Sequence, residues 1–153
     1  MATEIERKFL VRNTAMLTGR NGVRMRQAYL ARGRASVRVR IAGTRAWLTV
    51  KGPSEGIVRA EFEYAIPLTD ARVLEQLGDT APVDKTRYVV PCGRHNFEVD
   101  VFHGLNAPLV IAEIELTSTD DAFTVPDWLG KEVSDDARYR NSRLAECPYS
   151  TWP

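Results

Sequence analysis

Charged residues recur at every second position of one β-strand segment after another, and this pattern limits what the chain can fold into more than any other feature. Successive side chains of a strand point to opposite faces, so residues two apart share a face. Runs in which β-branched and aromatic residues alternate with polar ones, bounded by Gly, Pro or Asp, predict eight strands near residues 3–11, 23–32, 34–42, 45–51, 58–66, 83–91, 95–103 and 109–117. In the first, Glu4, Glu6 and Lys8 share one face, and Ile5, Arg7, Phe9 and Val11 the other. Arg38 and Arg40 stand opposite Val37, Val39 and Ile41; Thr49 and Lys51 opposite Leu48 and Val50; Glu61 and Glu63 opposite Phe62 and Tyr64. The pattern continues with Lys85 and Arg87, Glu98 and Asp100, and Glu113 and Glu115, each pair opposed by apolar residues.

In most antiparallel sheets the polar face is simply the wet one. Here that reading weakens, because these positions hold hardly any neutral polar residues and because like charges two apart on one strand repel. The alternative is an eight-stranded antiparallel β-barrel with its charged faces inward, mainly β in an α+β chain with a few flanking helices. Short Gly- or Pro-containing connections at 42–45, 52–56 and 91–94 fit antiparallel neighbours. Helices are predicted at Thr69–Leu77, capped by Thr69 or Asp70, at Thr119–Phe123 and over Asp136–Cys147. They cover the outward apolar residues only in part.

Such a lumen holds eight carboxylates (Glu4, Glu6, Glu61, Glu63, Glu98, Asp100, Glu113, Glu115) and six cations (Lys8, Arg38, Arg40, Lys51, Lys85, Arg87), a formal −2. Oxygen-only ligands suit a hard ion such as Mg²⁺ or Mn²⁺. Two divalent ions would bring the sum to about +2 and leave the Arg and Lys groups as directed donors for phosphate oxygens. The implied ligand is an oxygen-rich polyanion.

At 153 residues the chain predicts a single domain spanning 1–153. With 21 Lys and Arg against 20 Asp and Glu, it has no global field for nucleic acid or an acidic membrane. Neither an N-terminal apolar signal core nor a run of about 18 apolar residues is present, so a cytoplasmic protein is expected. Cys92 and Cys147 lie far apart and read as reduced thiols. Trp47, Trp128 and Trp152 read as packing residues, His95 and His103 as surface residues near turns, and no P-loop pattern occurs. A homodimer is compatible with the sequence, which does not fix the oligomeric state.

The opening Glu4-Ile5-Glu6-Arg7-Lys8 resembles the E-x-E-x-K signature of the CYTH proteins, the triphosphate tunnel metalloenzymes. Arg38-Val39-Arg40, Lys51, Glu61-Phe62-Glu63, Asp84-Lys85-Thr86-Arg87-Tyr88, Glu98-Val99-Asp100, Glu113-Ile114-Glu115 and Arg138-Tyr139-Arg140-Asn141 continue the resemblance in family order over nearly the whole chain. It implies a triphosphate tunnel using Mg²⁺ or Mn²⁺, similar to the short bacterial inorganic triphosphatases. Glu4, Glu6, Glu113 and Glu115 are then the main metal ligands, with Glu61, Glu63 and Asp100 binding directly or through water. Lys8, Arg38, Arg40, Lys51, Lys85 and Arg87 line the phosphate path, joined by Arg26 if the second strand carries a bulge that turns both Arg26 and Tyr29 inward. Tyr29, with Lys85, is the candidate for positioning the attacking water. The resemblance also admits thiamine triphosphatase or adenylate cyclase activity, and a module that binds polyphosphate without turnover is the alternative from another class. The short connection Arg12–Gly22 leaves no room for the longer helical insert of cyclase-like members.

Overall fold

The computed structural model describes residues 2–153. Eight antiparallel strands close into a barrel: β1 (Thr3–Val11), β2 (Val23–Arg32), β3 (Ser36–Ala42), β4 (Arg45–Lys51), β5 (Val58–Ile66), β6 (Val83–Cys92), β7 (His95–Phe102) and β8 (Val110–Glu115). Their order around the sheet is β5-β4-β3-β2-β6-β7-β8-β1, and β5 returns to β1 through Thr3, Glu4 and Ile5. The β3–β4 and β6–β7 turns each place a glycine first, Gly43 at φ +62° and Gly93 at φ +60°, a conformation the two-residue hairpin requires and other residues resist.

A ninth strand, β9 (Leu129–Glu132), was not expected. It pairs with the far end of β1, from Phe9 to Val11, beyond the point where β5 has left β1. Gly130 permits this approach, since a Cβ there would lie 2.9 Å from the Leu10 carbonyl oxygen. The segment before it supplies the missing apolar cover: Phe123 packs edge-on against Phe9 and Phe97 at 5.8 and 5.9 Å, and Trp128 against Phe97 at 5.2 Å. Burial of a ring such as Phe97 contributes about 1.5–3 kcal/mol. The helix expected over Thr119–Phe123 is instead a turn at 119–120 followed by irregular chain, because Asp121 accepts from the Thr117 amide and hydroxyl and ties the chain into a turn.

Helix α1 (Leu68–Glu75) lies across the outer face of β2–β4, with Ala71 and Leu74 on Ala28, Val39 and Ala46. It begins one residue before Thr69, behind Pro67, and no side chain caps it. The helix expected over Asp136–Cys147 is broken at Arg140, whose backbone is extended, into a 3-10 turn at Ala137–Tyr139 and α2 (Asn141–Glu146). Leu144 of α2 is fully buried against Tyr29, Val83, Phe102, Leu109 and Ile111, inner-face residues of the barrel. This apolar plug closes one end of the barrel.

Candidate functional site

The register of the strands decides which charges face inward. Arg38 and Arg40 of β3 lie beside Tyr29 and Gln27 of β2, Lys51 of β4 lies beside Glu61 of β5, and Glu6 and Lys8 of β1 lie beside Glu115 and Glu113 of β8. Together they line a cavity of about 260 Å³, just under the usual size for a small-molecule site. Of the expected site residues, all but Arg26 and Asp100 line it. Its wall carries eight carboxylates and eight cations, so the formal charges cancel rather than summing to −2.

The β2–β3 register runs unbroken from Met25 to Tyr29 and shifts only after Tyr29. Strict alternation therefore holds, with Tyr29 inward and buried and Arg26 outward, where it pairs with Glu75 of α1 at 3.0 Å. This corrects the expectation that Arg26 lines the phosphate path. Asp100, also expected near the metal, is fully buried behind the wall and both its oxygens are taken. It accepts from Lys85 Nζ at 2.7 Å and from Arg87 Nε and Nη2 at 2.7 and 2.8 Å. Asp100 thus acts as the fixed counter-ion that holds two cations in place. Burial opposes its ionisation, but Lys85 and Arg87 outweigh burial and keep its carboxyl below the usual range.

Burial pulls the Lys85 ammonium down to about 7, with Arg87 and Arg40 adding to that and Asp100 opposing it. Lys85 Nζ also donates to Asn141 Oδ1 at 3.0 Å, an oxygen that accepts from Gln27 Nε2 at the same distance. Asn141 opens α2, so the plug is fastened to the inner wall by polar as well as apolar contacts. Lys8 adds a third tie, donating to the Tyr139 carbonyl at 3.2 Å.

Around Glu4 the carboxylates crowd. Lys51 Nζ stands 2.8 Å from Glu4 Oε2 and 3.0 Å from Glu61 Oε2, so one ammonium is shared between two carboxylates. Burial drives the Glu61 carboxyl up to about 7, with Glu4 adding to the effect. Glu6 is pushed well above its ordinary value by burial and by the charges of Glu113 and Glu4. For Glu4 itself burial works upward, but hydrogen bonding with Glu61 and the charge of Lys51 prevail and hold it at about 2. Glu115 and Glu63 are exposed at the rim, and burial raises Glu115, with Glu4 and Glu98 reinforcing it. Among the described residues no three His, Cys, Asp or Glu side chains already stand in metal-ligating positions. The donor set nonetheless suits a hard divalent ion: oxygen ligands only, two of them, Glu6 and Glu61, with carboxyls raised by burial and by neighbouring negative charge.

The cations sort into two sets. Lys8, Lys51, Lys85 and Arg87 have carboxylate partners. Among the described residues Arg38, Arg40, Arg59 and Arg140 have none, although all four line the cavity. Arg38 Nε is buried and unsatisfied, and Arg40 Nε donates to Gln27 Oε1 at 2.6 Å. Burial, with Arg38 and Arg87 nearby, lowers Arg40 to about 10, so it still carries its charge at neutral pH. Arg59 was missed by the sequence reading, and Arg140 entered it only within the Arg138-Tyr139-Arg140-Asn141 match, with no role at the site. Alternation places Arg59 on the face of Glu61 and Glu63 and could have found it, whereas Arg140 comes from an irregular segment where no period applies.

The sequence profile of the CYTH domain matches residues 2–144. An inorganic triphosphatase of Acetivibrio thermocellus is 44% identical over 154 residues, covering 99% of both chains. An inorganic triphosphatase of Nitrosomonas europaea is 40% identical over 150 residues, covering 94% of this chain and 97% of that one. A crystal structure of an inorganic triphosphatase, 37% identical, superimposes with a TM-score of 0.69 over 95% of each chain.

Proposed function

The chain belongs to the CYTH family, and on that premise we propose that it is a metal-dependent triphosphatase that hydrolyses inorganic triphosphate to diphosphate and phosphate inside the barrel. One observation carries the reading. Among the described residues the same cavity holds guanidinium groups without carboxylate partners and, at Glu6, Glu63 and Glu115, carboxylates without cationic partners, so an anion and a divalent cation together complete it.

Glu4, Glu6, Glu113 and Glu115 would hold Mg²⁺ or Mn²⁺, with Glu61 and Glu63 bound directly or through water. Bound there, the metal supplies positive charge against phosphate oxygens and lowers the pKa of a water. The chain does the rest. Arg38 and Arg40 fork onto phosphate oxygens, and Lys8, Lys51, Lys85 and Arg87 add charge where negative charge builds on the transferred phosphoryl group. Tyr29, buried on the wall, orients the attacking water together with Lys85, whose ammonium Asp100 and Asn141 hold in place. The plug formed by α2 keeps bulk water from one end.

The test is turnover of inorganic triphosphate and of ATP at equal concentration, with and without Mg²⁺ or Mn²⁺, with phosphate release measured and products separated by chromatography. Metal-dependent release of phosphate and diphosphate, faster from triphosphate and without cyclic AMP, is the expected result. Faster ATP turnover, cyclic AMP as a main product, or binding without turnover overturns the proposal.

A further inference from the structure

Arg59 and Arg140 reach the same cavity from different elements. Arg59 projects from β5, where it is paired in register with Glu4, and Arg140 from the extended residue between the 3-10 turn and α2. Arg59 Nε donates to the Gly52 carbonyl at 3.2 Å, which fixes the guanidinium plane and leaves both terminal nitrogens uncommitted. Arg140 makes no side-chain hydrogen bond among the described residues, although Asp136 lines the same cavity. Asp136 is taken instead by Arg138 at 2.7 Å. Both arginines thus line one cavity with guanidinium nitrogens that no carboxylate of the described residues pairs, and an anion entering the cavity meets both.

The guanidinium groups without partners also form a graded series. Arg38 is buried, Arg59 half-buried and Arg140 exposed, so the three meet the cavity at different depths from solvent. We propose that Arg59 and Arg140 form a phosphate subsite that grips the outer end of the triphosphate, continuing the Arg38 position toward the C-terminal segment. This rests on the triphosphatase reading and adds to it one binding group from the barrel wall, Arg59, and one from outside the barrel, Arg140. Because these groups bind a phosphate remote from the bond that breaks, they hold ground state and transition state alike.

Steady-state kinetics on inorganic triphosphate with Mg²⁺ test the subsite in Arg59→Ala, Arg140→Ala and the corresponding Lys variants, with melting temperatures recorded with and without triphosphate. Each alanine variant is expected to raise KM about tenfold, the loss of one or two charge-assisted hydrogen bonds, while kcat changes less than about twofold. Each should also lose part of the melting shift that triphosphate produces, and Lys should restore binding only in part, since it cannot fork. An unchanged KM in both alanine variants overturns the subsite, as does a fall in kcat at constant KM. If the wild-type chain neither turns over triphosphate nor is stabilised by it, the functional reading falls first and the subsite with it.

Discussion

Substituting Asp100 with Asn separates a counter-ion from a metal ligand, because the two roles predict opposite responses to metal. Asp100 is fully buried and accepts three short charge-assisted hydrogen bonds, one from Lys85 and two from Arg87. The amide keeps the shape but leaves both cations buried without their partner, a change that costs about 3–5 kcal/mol when one member of a buried pair is lost. Lys85, already near 7 with Asp100 ionised, relieves some of this by shedding its proton. The loss therefore falls at the low end, about 3 kcal/mol, which for a chain of this size is a drop of roughly 6–12 °C in Tm. Asp100 has a lowered carboxyl pKa, so its contribution is present above the unfolded value and disappears only as pH falls through the folded one. At pH 7.5 the whole effect should be seen. Glu6→Gln supplies the contrast: it removes a carboxylate whose charge burial, Glu113 and Glu4 all oppose, so the metal-free protein should gain about 1 kcal/mol. Thermal melts followed by circular dichroism in EDTA, then in Mg²⁺, measure both. A Tm for Asp100→Asn within about 2 °C of wild type, or a metal-induced stabilisation that is lost selectively in Asp100→Asn and kept in Glu6→Gln, refutes the assignment.

Glu4→Gln is expected to abolish metal-dependent turnover while far-UV circular dichroism stays native, since an amide keeps the carboxylate's shape but not its charge; near-normal activity with Mg²⁺ would remove Glu4 from the ligand set. Tyr29→Phe should lower kcat at least tenfold with KM within about threefold, separating water positioning from substrate binding in steady-state assays. The Glu61 carboxyl, raised to about 7, makes the metal-free fold less stable as pH rises from about 4.5 to about 7, and metal binding must displace its proton across that window. Calorimetric titration with Mg²⁺ at pH 6.5, repeated in buffers of different ionisation enthalpy, should report release of about one proton or more, and a buffer-independent heat would show that these carboxylates were already ionised.

The eight barrel strands, their bounds to within a few residues and the inward placing of Glu4, Glu6, Arg38, Arg40, Lys51, Glu113 and their neighbours follow from a period of two. That period is local: a residue's face depends only on its position in its own strand, so alternation can be read without knowing any partner. The same rule, applied without the added bulge, places Tyr29 inward and Arg26 outward. It also reaches Arg59, which shares a face with Glu61.

What the sequence left open were the relations between segments far apart in the chain. β9 is only four residues long and exists because Gly130 lets it approach Leu10, more than a hundred positions away. Asp100 carries the same inward parity as Glu98, yet it faces Lys85 and Arg87 across β6 and is saturated by them, while Glu98 stays at the cavity. Arg140 enters the site from an irregular stretch with no period, placed there because Leu144 plugs the barrel and Asn141 bonds to Lys85 and Gln27. Charge alternation along each strand determined which side chains could face the lumen. Closure of the barrel, through pairing and packing that no single segment encodes, decided which of those charges neutralise one another and which remain free to bind.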